Sequence, residues 1–225
     1  DTEHKLVVAT LFAKGVKTYQ AIWLLTEQGY GEDATILTRS LVNSVINALW
    51  IDNHPGTRTR AYIDYDIVLK AKLGRKIQES KASLAMPSDL VKSYANQLPN
   101  WRKEEKRLKR EHGYNNKGWS GKSIRDMARD VDYLSIYDPL YTMASDVEHS
   151  SVAAADDFLK IRSDGSFLVS GEPSDNWVDE ARGSAQFVVI DLALLADRVI
   201  GLGMSPKLLE IQKDALNFAL KHQPQ

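Results

Sequence analysis

Between Asp33 and Asp52 the chain runs ATILTRSLVNSVINALWI, and the single ionisable side chain in that run is Arg39. Every other residue in it is apolar, small or an amide. A run of this kind belongs at the centre of a globular fold, and here it carries a permanent cation. Arginine stays protonated at any accessible pH, and an unpaired buried charge is strongly unfavourable. Arg39 must therefore reach a surface, or face an anionic or polar group brought by another element.

The run reads as the second of two antiparallel helices. The first extends from about Glu3 to Gln28, with Val7, Val8, Leu11, Phe12, Val16, Tyr19, Ile22 and Leu25 at spacings of three and four, the stripe of an amphipathic helix. Gly29-Tyr30-Gly31 ends it, and Glu32 and Asp33 suit the positive end of the next helix dipole. Asp52-Asn53-His54-Pro55-Gly56 is a strong stop. A third helix from about Thr57 to Lys81 and a fourth from Asp89 to His112 follow, joined by a loop around Met86-Pro87, with Pro99 expected to kink or break the fourth. Gly113 to Gly121 is a loop, and short helices are expected at Ser123–Asp132 and Tyr137–Ser151. Ala153 to Lys160 reads as a further helical turn. Asp164-Gly165 between apolar residues marks a small hairpin. Ser174 or Asp175 caps a long helix to about Leu202. Ser205-Pro206 opens the last helix, to about Lys221. With no repeat and no biased linker, these elements make one all-α domain, 1–225. Its bundle core is helices one, two, the Tyr137 helix and the long Asp175–Leu202 helix, and residues 57–112 form a projecting charged helical hairpin.

Cysteine is absent, which excludes a disulfide framework, a thiolate metal site and a cysteine nucleophile and fits a cytoplasmic protein. The chain starts at Asp1 rather than Met and is read as a portion of a longer one. Ser184–Gly203 is the most apolar stretch, but Asp191, Asp197 and Arg198 within it argue for a bundle helix rather than a membrane span. Net charge is −1, yet it is uneven: 4 basic and 6 acidic residues in 1–56, 14 and 7 in 57–112, 11 and 17 in 113–225. A basic hairpin can attract RNA or a nucleotide. It can equally be a solvated face that pairs with acids of its own fold or with a second copy in a homodimer.

Two constellations carry chemistry. Arg39, Asn43 and Asn47 lie one turn apart along one side of the second helix. They form either a phosphate- or carboxylate-binding line or an internal pair, with Asp191 as the obvious acid. Tyr137, Tyr141, Ser145 and His149 also recur every four residues, flanked by Asp146 and Glu148. Histidine is suited to moving a proton near neutral pH, and a hydrogen-bonded structural histidine is the plainer alternative. The histidines are too scattered for a metal site, and no cofactor is expected. Gly121-Lys122-Ser123 is not a P-loop, because Asn116 stands where the motif needs glycine and no strand precedes it. Arg107-x4-His112 is a cheap match in a helix this rich in charge.

The sequence TRSLVNSVINALWI, then GWSGKSIRDMARDV, then YDPLYTMASDVEHSS resembles a family of bacterial helical proteins of unknown function. That family is marked by Arg-Ser-Leu in the second helix, a Trp before a short helix and a Tyr-x3-Ser-x3-His block. The resemblance spans about Val7 to Gly203 and singles out Arg39, Trp119, Tyr141, Ser145 and His149. The pairing of Arg and His on a bundle is also similar to the broader HEPN group, which includes metal-independent RNases of toxin and phage-defence systems and non-catalytic nucleotide binders. The chain departs from those nucleases in placing Arg39 and His149 on different helices, and Val42-Asn43 stands where an acid often follows Arg-Ser-Leu. The resemblance implies action on RNA or a nucleotide, with Arg39, His149, Tyr141 and Ser145 catalytic and Asn43, Asn47, Trp119 and Asp146 binding. The alternative is a non-enzymatic interaction or oligomerisation module built on an Arg39–Asp191–His149 network.

Overall fold

The protein is described by a computed structural model covering residues 1–79, 86–148 and 158–221. Among these residues eight helices and one short hairpin are present: α1 Thr2–Glu27, α2 Gly31–Asp52, α3 Pro55–Glu79, α4 Ser88–His112, α5 Ile124–Asp130, α6 Leu134–Glu148, β1 Leu159–Ile161, β2 Phe167–Val169, α7 Val178–Ile200 and α8 Ser205–Lys221. The all-α bundle expected from the periodicity is what forms.

Asp1 caps α1 by accepting from the N–H groups of Glu3 and His4, satisfying donors that a helix start leaves open. Gly29 takes a left-handed conformation (φ +76°), and the Tyr30 N–H returns to the Leu25 carbonyl at 3.0 Å. The chain thus reverses in three residues and lays α2 against α1. On α2, Leu41, Val42, Val45, Ile46, Ala48 and Ile51 are buried; α1 contributes Val7, Val8, Leu11 and Ile22 to the same core, α7 Ala185, Val188 and Leu192, and the α5–α6 region Met127, Tyr133 and Tyr137. Helix α2 touches α1, α3, α5, α6 and α7, so it is the hub of the bundle.

Two glycines set how closely the hub is packed. A β-carbon on Gly15 of α1 would come within 2.3 Å of Leu192 on α7 and 3.3 Å of Leu41 on α2. One on Gly31 would lie 2.0 Å from the Asn176 carbonyl oxygen and 2.6 Å from the Val178 nitrogen. The start of α2 is thus pressed against the backbone entering α7. Asp52 at the far end of α2 accepts from Arg198 of α7 at 2.5 Å and lies 3.3 Å from His4 of α1, tying the same three helices together.

Helices α3 and α4 form the expected charged hairpin. Leu98 packs over Gly74, where a β-carbon would come within 3.0 Å of it. Buried Glu105 of α4 accepts two bonds from the Arg75 guanidinium, at 2.5 and 3.2 Å, and one from Lys109 at 2.6 Å. Pro99 neither breaks nor ends α4; the helix runs on, lacking the one hydrogen bond proline cannot donate.

Boundaries differ from expectation at three places. Helix α6 begins at Leu134 rather than Tyr137, because Tyr133 accepts from the Ile136 and Tyr137 N–H groups. Helix α7 begins at Val178, after a left-handed Trp177 (φ +62°), not at a Ser174 or Asp175 cap. The helical turn expected over Ala153–Lys160 falls partly outside the described residues, and Leu159 and Lys160 within it are in strand β1. That strand pairs antiparallel with β2 (Leu159 opposite Val169, Ile161 opposite Phe167) across a turn with Gly165 at φ +81°, the small hairpin marked by Asp164-Gly165. No helix among the described residues is long and apolar enough to cross a membrane.

Two outcomes test this packing. Gly31→Ala must push backbone apart rather than side chains, so it should lower unfolding free energy by about 3 kcal/mol, the upper end for overpacking; an unchanged urea midpoint would refute the close approach. Burial would raise the Glu105 carboxyl, but hydrogen bonds from Arg75 and Lys109 outweigh it and hold the carboxyl below the usual glutamate value. Its contribution is therefore full above the unfolded glutamate value of about 4.3 and is lost as pH falls through the lower folded value. Urea melts across this acid range should show a shallower loss of stability in Glu105→Gln than in the wild type.

Candidate functional site: a polar strip between α2 and α6

Helix α6 lies along the side of α2 that carries Arg39, Asn43 and Asn47. The Arg39 guanidinium sits 4.1 Å over the Tyr141 ring, donates to the Tyr141 hydroxyl and forms an ion pair with Glu148. Tyr141 in turn stacks on Tyr137 at 4.8 Å between ring centroids. Burial, then the neighbouring Tyr141, pushes the Tyr137 hydroxyl up to about 12, so the ring beneath Tyr141 is a neutral platform at physiological pH. The Arg39 side chain is 21% exposed and Glu148 39%, which places their contact at the edge of the bundle, open to solvent on one side.

The strip continues along α2. Asn47 donates from Nδ2 to the Asn43 carbonyl at 2.6 Å and accepts from the Trp119 indole N–H at 2.9 Å. Asn43 buries its own Oδ1 without a hydrogen-bond partner among the described residues. Trp119 stands edge-on to Trp50 (5.2 Å) and to Tyr62 (5.0 Å). Arg58 lies 3.6 Å over Trp50 and donates to the Trp50 carbonyl at 2.5 Å, while the Trp50 indole donates to Asp130, which also accepts from Lys122. One end of the strip is therefore an arginine between a phenol and a carboxylate, and the other is an aromatic cluster held by amide and indole bonds.

Of the residues singled out from sequence, the structure brings together Arg39 and Tyr141 at one end, and Asn43, Asn47 and Trp119 along the rest. Ser145 is half-buried on α6, one turn beyond Tyr141. Asp146 lies in the last part of α6. His149 lies outside the described residues. The pairing of Arg39 with Asp191 does not form: Asp191 accepts from Tyr133 at 2.8 Å and Gln212 at 3.1 Å, and the acid on Arg39 is Glu148. The reason is rotational: Asp191 sits on the side of α7 that meets Tyr133 and α8. Glu148 flanks the histidine in the sequence, and its place two turns past Tyr141 on the same helix is the signal that would pair it with Arg39. Arg58 and Trp50 had no signal as a pair beyond their eight-residue separation across the α2–α3 turn.

The remaining motifs resolve into structure. Ser123 caps α5 by accepting from the Asp126 N–H, and Lys122 pairs with Asp130. In the Arg107-x4-His112 match, Arg107 is held between Glu104 and Glu111. His112 is not solvated: it lies 3.0 Å from Asp64 and against the Tyr114 ring. No group of three or more metal-ligating side chains occurs among the described residues.

Residues 5–167 match a protein family described as a family of unknown function, DUF5677. The chain belongs to that family. No curated protein and no solved structure matches it. The Arg-Ser-Leu helix, Trp119 and the Tyr-x3-Ser segment all lie within the matched span.

If the Trp119–Asn47 bond holds the Gly113–Gly121 loop on α2, the two side chains are energetically coupled. A double-mutant cycle with Trp119→Phe and Asn47→Ala should give a coupling of about 1 kcal/mol; additivity of the two losses would show that the bond holds nothing.

Proposed function

We propose that the α2–α6 strip of this DUF5677 protein binds the phosphate of RNA or a nucleotide, and that the protein acts on that ligand as a HEPN-like, metal-independent ribonuclease. The observation that carries this reading is the Arg39 guanidinium, held over the Tyr141 ring and countered, among the described residues, by the partly exposed Glu148. A guanidinium held this way is preorganised for two parallel bonds to a phosphate, and a partly exposed carboxylate can give way to one. His149, which follows Glu148 in the chain, would take the proton from a ribose 2′-hydroxyl. The 2′-oxygen then bonds to phosphorus as the phosphorus–5′-oxygen bond breaks, and the leaving 5′-oxygen would take the proton back from His149, directly or through water. Arg39 would stabilise the charge that grows on the phosphate, with Tyr141 and Ser145 orienting the reacting groups and Trp119 near the base. Origin in a bacterial phage-defence or toxin system, and a cytoplasmic location, belong to the same proposal.

The hairpin supports phosphate attraction, though less than its composition suggests. Arg60, Lys70, Arg75, Arg107 and Lys109 are neutralised by nearby acids. Lys72 and Lys76 on α3, and Lys92, Arg102, Lys103, Lys106 and Arg110 on α4, are exposed and have no ion-pair partner among the described residues. Those are the cations left for sequence-independent contact with a backbone.

The test uses the purified chain, labelled RNA and excess EDTA. Cleavage is expected, reduced roughly 100-fold or more in His149→Ala and in Arg39→Ala, with the melting temperature of His149→Ala unchanged. Activity equal in wild type and both variants would sink the reading. A second reading is favoured by Glu148 already occupying the guanidinium: the contact then serves only to dock α6 on α2 in a non-enzymatic module that binds a partner or a second copy. In that case Arg39→Ala lowers the melting temperature by several degrees, as loss of a partly buried pair would, and the wild type leaves RNA intact.

A further inference from the structure

Asp191, displaced from the role of partner to Arg39, has a different setting. It lines a cavity of about 660 Å³ between α2, the α5–α6 junction, α7 and α8, within the range of roughly 300–1,000 Å³ usual for small-molecule sites. The walls are aliphatic: Leu49 from α2, Leu194 and Leu195 from α7, and Leu209 from α8. Leu209 is 54% exposed and forms part of the open mouth. Tyr133 and Asp191 supply the polar floor.

The charge of Asp191 is unmatched. Its two oxygens accept one bond each, from the Tyr133 hydroxyl and the Gln212 amide, and both donors are neutral. Each carboxylate oxygen retains a further acceptor direction. Other shielded acids have cations beside them: Asp52 has Arg198, Asp64 has Arg60, and Glu105 has Arg75 and Lys109. Asp197 is held instead by the Met204 and Ser205 N–H groups at the start of α8. Asp191 has neither a cation nor a helix start among the described residues. Burial pushes its carboxyl above the ordinary aspartate value, offset in part by the Tyr133 and Gln212 bonds. The nearest cation along α7, Arg198, is two turns away, about 10 Å along the axis, and engages Asp52. Ser205 at the rim donates its hydroxyl to Asp197.

We propose that this cavity is a binding site for a protonated primary amine carried on an aliphatic body, with the ammonium on Asp191 and the hydrocarbon against Leu49, Leu194, Leu195 and Leu209. The ammonium replaces the missing countercharge and adds charge-assisted bonds to the free acceptor directions of the carboxylate. The aliphatic walls remove the chain from water. The site is separate from the Arg39 strip and does not depend on the function proposed for that strip.

The probes are hexylammonium chloride and hexan-1-ol, titrated into the full chain at constant ionic strength and followed by amide chemical shifts and calorimetry. Hexylammonium should bind saturably and roughly tenfold or more tighter than hexanol. Asp191→Asn, which keeps the shape and the Tyr133 and Gln212 neighbours, should remove that preference, while Leu209→Trp at the mouth should weaken both probes. Arg39→Ala should leave both affinities unchanged. Equal affinity for the two probes in the wild type, retention of the ammonium preference in Asp191→Asn, or no saturation up to about 10 mM hexylammonium would each overturn the assignment. The wild-type comparison of the two probes stands even if a variant fails to fold.

Discussion

Helix α2 is enclosed by five others, and it carries a guanidinium that its own backbone cannot neutralise. That constraint on α2 organises the rest of the molecule. Its apolar positions are met by α1 and α7, which approach closely because Gly15 and Gly31 leave room for them. Its polar row is left on one side, and the elements that cover that side must bring complementary groups. Helix α6 brings Tyr141 and Glu148 to Arg39; the loop before α5 brings the Trp119 indole to Asn47. The course of the chain from Gly113 to Glu148 thus follows two side chains on α2, Arg39 and Asn47, spaced two turns apart. A desolvated guanidinium without those partners would cost more than most single contacts return.

The hairpin of α3 and α4 solves a different problem. It has few apolar residues to bury, with Val68, Leu108 and Tyr114 as a minor cluster, so charge takes over part of the work of packing. Glu105 is inside the hairpin because two cations from neighbouring positions converge on it, and Asp64 pairs with Arg60 and lies within hydrogen-bond reach of His112. Such pairing consumes positive charge internally. What remains on the surface is a smaller set of lysines and arginines than the count over residues 57–112 suggests. Any attraction to a polyanion is carried by that remainder.

The helices and the central position of α2 were legible in the sequence, because stripes at spacings of three and four and stop signals such as Asn53-His54-Pro55-Gly56 are local properties. The small hairpin was legible for the same reason: Asp164-Gly165 specifies its turn. The partner of Arg39 was not. Asp191 and Glu148 were both acids on helices that flank α2, and choosing between them requires the rotation of α7 and α6 about their own axes. Periodicity fixes that rotation only to within the width of an apolar stripe, and Asp191 lies between Val188, Leu192 and Leu195 at the margin of one. The start of α7 was misplaced because Trp177 takes a left-handed conformation that no side-chain preference announces. The aromatic cluster around Trp119 was legible only in part: the tryptophan stood out, but Trp50, Tyr62 and Arg58 reach it from two other helices.

Two charges set within the most buried helices, Arg39 on α2 and Asp191 on α7, end in opposite circumstances. Had they met, the fold would contain one closed ion pair and little else of chemical interest. Keeping them apart means that each must be satisfied separately, and the two solutions are unequal. Arg39 has an aromatic face and a carboxylate, both at a solvent-facing edge, so its site is filled but exchangeable. Asp191 has two neutral donors and an adjoining cavity, so its site is hydrogen-bonded but not neutralised. A fold selected only for stability has no reason to retain the second arrangement, since an asparagine or leucine at 191 avoids the desolvation of a carboxylate altogether. The acid at 191, beside a cavity lined with leucine, is matched by the protonated amine proposed for that cavity.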